Sequence, residues 1–173
     1  MEEVAVVSGG FDPLHAGHIR LILAARTIVQ APVWIILNND SWLKSKKGFT
    51  FMGQNERAEI LHAIKGVERV VITWHTISSK DTSVCETIQA IDNLFPTHKF
   101  TFCNGGDRLF ANTPEVELCK KLGWQMRWNV GGEKIQSSSS LVEEAKECLT
   151  NHQKEYYLGL RVCLKKHQQP YVP

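Results

Sequence analysis

Two histidines three positions apart, His15 and His18, close the run Gly9-Gly10-Phe11-Asp12-Pro13-Leu14-His15-Ala16-Gly17-His18. Residues at i and i+3 share one face of a helix, so both imidazoles can meet the same anion. The run lies between the apolar stretch 4–7 and a helical pattern over 14–29, where a strand hands over to a helix. Helix N-termini expose unpaired N–H groups and a partial positive charge. In open α/β sheets the carboxyl ends of the strands are where phosphates bind. Gly9 and Gly10 let backbone approach a phosphate closely, and Gly17 leaves room above the helix for a flat base or sugar. One histidine near a helix start is accounted for by capping or by surface exposure. Two at this spacing, within a Gly-Gly-Phe-Asp-Pro turn, point to phosphate chemistry.

Other groups fall on the same rim. Asn38 to Gly48 follows the second apolar run and carries Lys44, Lys46 and Lys47 before a glycine, which reads as a mobile cationic loop. Lys46 and Lys47 lead as phosphate contacts and Lys44 follows. Arg57, near a helix start in Gln54-Asn55-Glu56-Arg57, could grip a phosphate bidentately; a surface pair with Glu56 or Glu59 is the competing role. Asn104-Gly105-Gly106-Asp107-Arg108 is good turn chemistry, and Asp107 after a strand can accept from ribose hydroxyls. Ser137 to Ser140 precede a helical pattern, where hydroxyls and free N–H groups hold phosphates; one cap needs one serine, not four. Trp74-His75 after the third strand could line a substrate pocket. Trp34, Trp124 and Trp128 read as core.

These groups need a scaffold that brings strand ends together. Short apolar runs over 4–7, 33–37, 67–72, 99–102 and 125–129 read as buried parallel strands. Helical patterns cover 14–29, 54–64, 84–94 and 114–122, the last opened by a polar cap, Pro114 and Glu115. Five strands alternating with helices predict a doubly wound, Rossmann-like parallel sheet with helices on both faces. A C-terminal helical extension follows, with segments at 141–149 and 153–166. The expected division is a domain over 1–150 and a helix and tail over 151–173. That tail either packs on the sheet or serves as a dimer contact or lid.

Composition bounds the partners. The 173 residues carry a net charge of +2 and 43% hydrophobic residues, which suits one globular domain. A charge this small argues against nucleic acid or membrane as the main partner. Five cysteines without a Cys-x-x-Cys pair, and no targeting segment, predict reduced thiols in the cytoplasm.

The His-x-Gly-His run, the lysine segment, Glu56-Arg57-Ala58-Glu59-Ile60-Leu61, the Gly-Gly-Asp turn and the serine run together resemble the nucleotidyltransferase superfamily related to class I aminoacyl-tRNA synthetases. Within it they resemble the cytidylyltransferase-like enzymes, such as the glycerol-3-phosphate cytidylyltransferases and heptose-1-phosphate adenylyltransferases. The likeness runs from about Val4 to about Ala145. It implies transfer of CMP or AMP from a nucleoside triphosphate to a phosphorylated small molecule, a sugar or polyol phosphate first, with pantetheine phosphate or nicotinamide mononucleotide as runners-up. It assigns His15, His18, Lys46 and Lys47 to catalysis. Gly9, Gly10, Phe11, Gly106, Asp107, Ser137, Ser138 and Ser139 go to the nucleotide, and Lys44, Arg57, Trp74 and Arg108 to the acceptor. Magnesium would arrive with the triphosphate, with no built-in metal site; Asp12 supports the turn or helps hold magnesium. The sequence departs from the superfamily at Gln136, between Ile135 and the serines, and at Gly131-Gly132, where cytidylyltransferases carry arginine and threonine. Lys134 or Arg127 supplies that charge, or the nucleotide differs. Dimers are common among such relatives. Two other classes stay open: a non-catalytic nucleotide-binding module and a synthetase fragment.

Overall fold

The computed structural model describes residues 2–76, 81–105, 113–132 and 137–148. In the first unit, which ends at Ser137, five parallel strands form one sheet in the order β3-β2-β1-β4-β5. They are β1 (Glu3–Gly9), β2 (Val33–Leu37), β3 (Val67–Ile72), β4 (Lys99–Cys103) and β5 (Gln125–Arg127). The strand order reverses at β1, where open α/β sheets leave a crevice at the carboxyl ends.

Side-chain alternation along the strands builds two apolar layers. Ala5, Val7, Val33, Ile35 and Leu37 pack with Ile22 and Ala25 of α1 (Ala16–Val29) and Leu61 of α3 (Gln54–His62). Val4, Val6, Trp34, Ile36, Phe100 and Phe102 pack with Ile88 and Ile91 of α4 (Cys85–Leu94) and Cys119 of α5 (Glu115–Leu122). Both faces of the sheet are therefore covered by helices, as predicted. At the amino end of the second layer, Phe100 stacks on Trp124 at 4.3 Å, and the Trp124 indole N–H donates to Asp92 at 2.8 Å.

Two elements differ from the sequence reading. β5 is three residues long rather than five, because Asn129 turns into the left-handed region at φ 54°. Gly131 follows at φ 87°, where a Cβ would lie 3.0 Å from the Leu21 backbone, so glycine is required by close approach to α1. The lysine segment is no mobile loop: Asp40–Lys47 is a helix, α2. Asn39 caps it by accepting from the Trp42 N–H at 2.9 Å, and Gly48 at φ 81° ends it. The lysines in its last turn suit the negative end of the helix dipole. The second unit, Ser138–Pro173, contains a helix over 138–148, α6, with an ion pair between Lys146 and Glu143. The expected helix over 153–166 lies outside the described residues.

Candidate active site

The turn after β1 is unusual backbone. Phe11 sits at φ 50°, a region that costs a bulky residue on the order of 1–3 kcal/mol. It is held there by burial of its ring in the layer under α1 and by contact with the His18 ring at 4.9 Å. Strain of this kind persists where the surroundings over-determine it, commonly at functional sites.

The chain then enters α1 through a capping box made of histidines. His15 is the N-cap, and its Nδ1 accepts from the Gly17 N–H at 3.1 Å. His18 occupies the third helical position, and its Nδ1 accepts from the His15 N–H at 3.3 Å. A ring nitrogen that accepts carries no proton, so in both rings the N–H is at Nε2. The rings stack at 3.8 Å, tilted by 25°. Burial, then the neighbouring His15 and Lys47, push the His18 pKa down to about 3. His18 is therefore a neutral N–H donor across the physiological range. Capping uses Nδ1 of each ring, so it does not compete with a phosphate contact through Nε2.

Arg57 holds the rim together from beneath. Its side chain is 1% exposed. It donates from Nη1 to the carbonyls of Gly10 at 2.6 Å and Asn38 at 2.8 Å, from Nε to Met52 at 3.0 Å, and from Nη2 to the Asp40 carboxylate at 2.6 Å. Those contacts tie the turn after β1, the turn after β2 and the start of α3 into one block. The guanidinium expected to grip an acceptor phosphate thus has four of its five N–H groups engaged within the protein, and the group is buried. Asp12 plays the complementary part. Its two carboxylate oxygens accept from the Phe51 and Met52 N–H groups at 2.8 and 2.7 Å. Asp12 thereby ties the turn after β1 to the segment that enters α3.

The glycines also prove to serve packing. A Cβ on Gly10 would lie 2.9 Å from Leu43 of α2, and one on Gly9 would lie 3.2 Å from the Phe11 ring. Side chains fill the space where a Cβ would sit, so what Gly9 and Gly10 offer a ligand is backbone.

The three lysines separate. Lys47 donates to the Asp12 carbonyl at 3.2 Å and acts electrostatically on His18; burial lowers its own pKa from the usual lysine range. Lys46 lies over the Trp42 indole, 4.5 Å from the ring centre. Lys44 is exposed. Trp74, just past the end of edge strand β3, is 54% exposed. His75 is used internally, its ring bridging the Thr73 hydroxyl at 2.9 Å and the Ser83 carbonyl at 2.8 Å. Ser137 ends the first unit, and Ser138 and Ser139 open α6 of the second. Gly106, Asp107, Arg108 and Lys134 lie outside the described residues. No group of three or more His, Cys, Asp or Glu side chains among the described residues could hold a metal ion.

Sequence reading missed the partners in this frame. Asp40, which pairs with Arg57, and Asn39, which caps α2 and donates to the His75 carbonyl at 2.7 Å, sit in the Asn38-Asn39-Asp40 run. A polar triplet straight after an apolar strand was the available signal.

The sequence profile described as cytidylyltransferase-like matches residues 6–153. The bifunctional protein HldE of Koribacter versatilis is 40% identical over 73 residues, 41% of this chain and 15% of that protein. The FAD synthase of Thermococcus sibiricus is 38% identical over 73 residues, 41% of this chain and 49% of that one. The chain thus spans under half the length of these relatives. Among solved structures, a lipopolysaccharide core biosynthesis protein from Thermoplasma volcanium superposes with a TM-score of 0.52 at 19% identity, covering 74% of this chain and 93% of that one.

Proposed function

This chain belongs to the cytidylyltransferase-like family, and from that premise we propose that it is a nucleotidyltransferase that moves CMP or AMP from a nucleoside triphosphate to a phosphorylated small molecule. The observation that carries the reading is the histidine capping box. It puts two Nε2–H donors at the positive end of α1, beside the strand end where the sheet order reverses. An oxygen of the acceptor phosphate attacks the α-phosphorus, the new P–O bond forms in line, and the bond to the bridging oxygen breaks. Its electron pair leaves with pyrophosphate. Such a displacement asks the protein for position and for cancellation of charge building on the phosphate oxygens. His15 and His18 supply Nε2–H donors, Lys47 a cation, and the first-turn N–H groups of α1 a dipole. Lys46, Lys44 and Trp74 extend the same rim toward the acceptor. Magnesium enters as part of the triphosphate substrate and offsets its charge.

A sugar or polyol phosphate is the acceptor this reading favours. A flavin- or nicotinamide-type mononucleotide is the second reading, supported by the FAD synthase among the relatives and by the exposed face of Trp74. The test is pyrophosphate release from each nucleoside triphosphate with magnesium, against glycerol 3-phosphate, sugar phosphates, pantetheine phosphate, and flavin and nicotinamide mononucleotides. Release with one pair, lost in His18→Ala, supports the reading. Tight triphosphate binding without release across the panel would favour a binding module instead.

A further inference from the structure

Just beyond the apolar layer on the α4/α5 face, the strands carry polar side chains. On β2, Trp34 and Ile36 point into that layer, and on β4 Phe100 and Phe102 do. Alternation therefore sends Asn38 and Asn104, the residues after each strand, to the same face. Ser8 of β1 continues Val4 and Val6 between them. Thr73 after β3 completes the row. Thr73 is satisfied, accepting from the Asn39 N–H at 3.1 Å and bonded to His75. The two asparagines are not. They are 2% and 3% exposed, yet Asn38 Oδ1 and Asn104 Nδ2 have no hydrogen-bond partner among the described residues. Buried polar atoms are nearly always paired, and an orphan lowers stability unless something else needs it.

We infer that Asn38 and Asn104 are specificity-determining contacts for hydroxyl groups of the acceptor, which makes that acceptor a phosphate that carries several hydroxyls on a sugar or polyol chain. A hydroxyl both donates and accepts, matching an orphaned acceptor on one asparagine and an orphaned donor on the other. The two residues flank β1, two strand spacings or about 9–10 Å apart, so a sugar or polyol with several hydroxyls serves both where one hydroxyl does not. The side of the sheet also fits. His15 and His18 belong to α1, which packs on the opposite face. In-line displacement places the attacking oxygen and the departing pyrophosphate on opposite sides of the phosphorus. Pyrophosphate held at α1 leaves the α4/α5 side to the acceptor. This inference rests on the nucleotidyl-transfer reading.

The experiment is thermal unfolding of the full chain and of Asn38→Leu and Asn104→Leu. The probes are ribose 5-phosphate, glycerol 3-phosphate, inorganic phosphate and magnesium triphosphates. Without ligand, each leucine variant should melt at or above the parent midpoint, because leucine removes an unmet polar atom. In the parent, ribose 5-phosphate or glycerol 3-phosphate at about ten times its Kd should raise the midpoint by about 2–4 °C beyond inorganic phosphate. That excess should vanish in both variants while the triphosphate upshift persists. A ligand-free drop of several degrees in both variants would make the asparagines structural and overturn the inference. So would an excess that survives in both, an upshift lost for the triphosphate instead, or no excess in the parent. A parent that binds sugar phosphate through these asparagines but shows no triphosphate upshift would sink the transfer reading and keep the hydroxyl site.

Discussion

At His18 one ring does two jobs, and chemistry can separate them. Glutamine at the third helical position can still accept from the N-cap N–H, but it lacks the fixed imidazole donor. His18→Gln should keep the melting temperature within a few degrees and lower turnover by about 10²–10³-fold, as loss of an oxyanion donor does. His18→Ala should lose the same rate and about 1 kcal/mol of stability as well. Equal stability in the two variants would show that the capping bond contributes nothing. The pH dependence follows from the His18 pKa of about 3. The unfolded chain takes up a proton near pH 6.5 while the folded one does not, so stability falls as pH drops from about 6.5 toward 3. Denaturant titrations between pH 5 and 6.5, above most carboxylate titrations, should show His18→Gln removing up to about 1.4 kcal/mol per pH unit of that slope. Among the lysines, Lys47→Met should reduce turnover far more than Lys44→Met, since Lys47 is tied to the Asp12 turn and acts on His18 while Lys44 is exposed.

At the scale of elements, Arg57 decides how the rim is assembled. Arg57→Met would leave the carbonyls of Gly10 and buried Asn38, and the Asp40 carboxylate, without their donor, so unfolding free energy should fall by about 3–5 kcal/mol. A variant of parental stability whose only defect is a raised acceptor KM would restore Arg57 as a phosphate ligand. The positions of β1 to β4 and of the α1, α3, α4 and α5 patterns were legible because period-2 and period-3.6 spacing are local. So was the His-x-Gly-His junction, which lies between two such patterns. The direction of Arg57 was not legible. An arginine at a helix start looks the same in sequence whether its fork meets solvent phosphate or the carbonyls of two distant turns. Helix α2 was hidden for a related reason: three lysines in four positions suggest a solvated loop, while Asn39 and Gly48, its cap and stop, reveal a helix only together.

Across the whole first unit, stability and chemistry sit at opposite ends of the strands. The aromatic cluster of Trp34, Phe95, His98, Phe100 and Trp124 lies toward the amino ends of β2 and β4, and the histidine box at the carboxyl end of β1. Sites this far apart act additively. Trp124→Ala should therefore cost about 3–5 kcal/mol while leaving KM for the triphosphate within about twofold at a temperature where the variant is folded. A large change in KM would mean that the sheet transmits strain from one end to the other.

The capping box has a consequence for how such proteins change over time. A lineage that abandoned the reaction would still need something at positions 15 and 18 to accept the first N–H groups of α1, and the histidines already do so. Folding alone would slow their replacement, and the motif would outlast the activity. Descendants of a protein built this way would keep the outward signature of an enzyme after turnover had gone, and counting retained histidines would overstate how many still work.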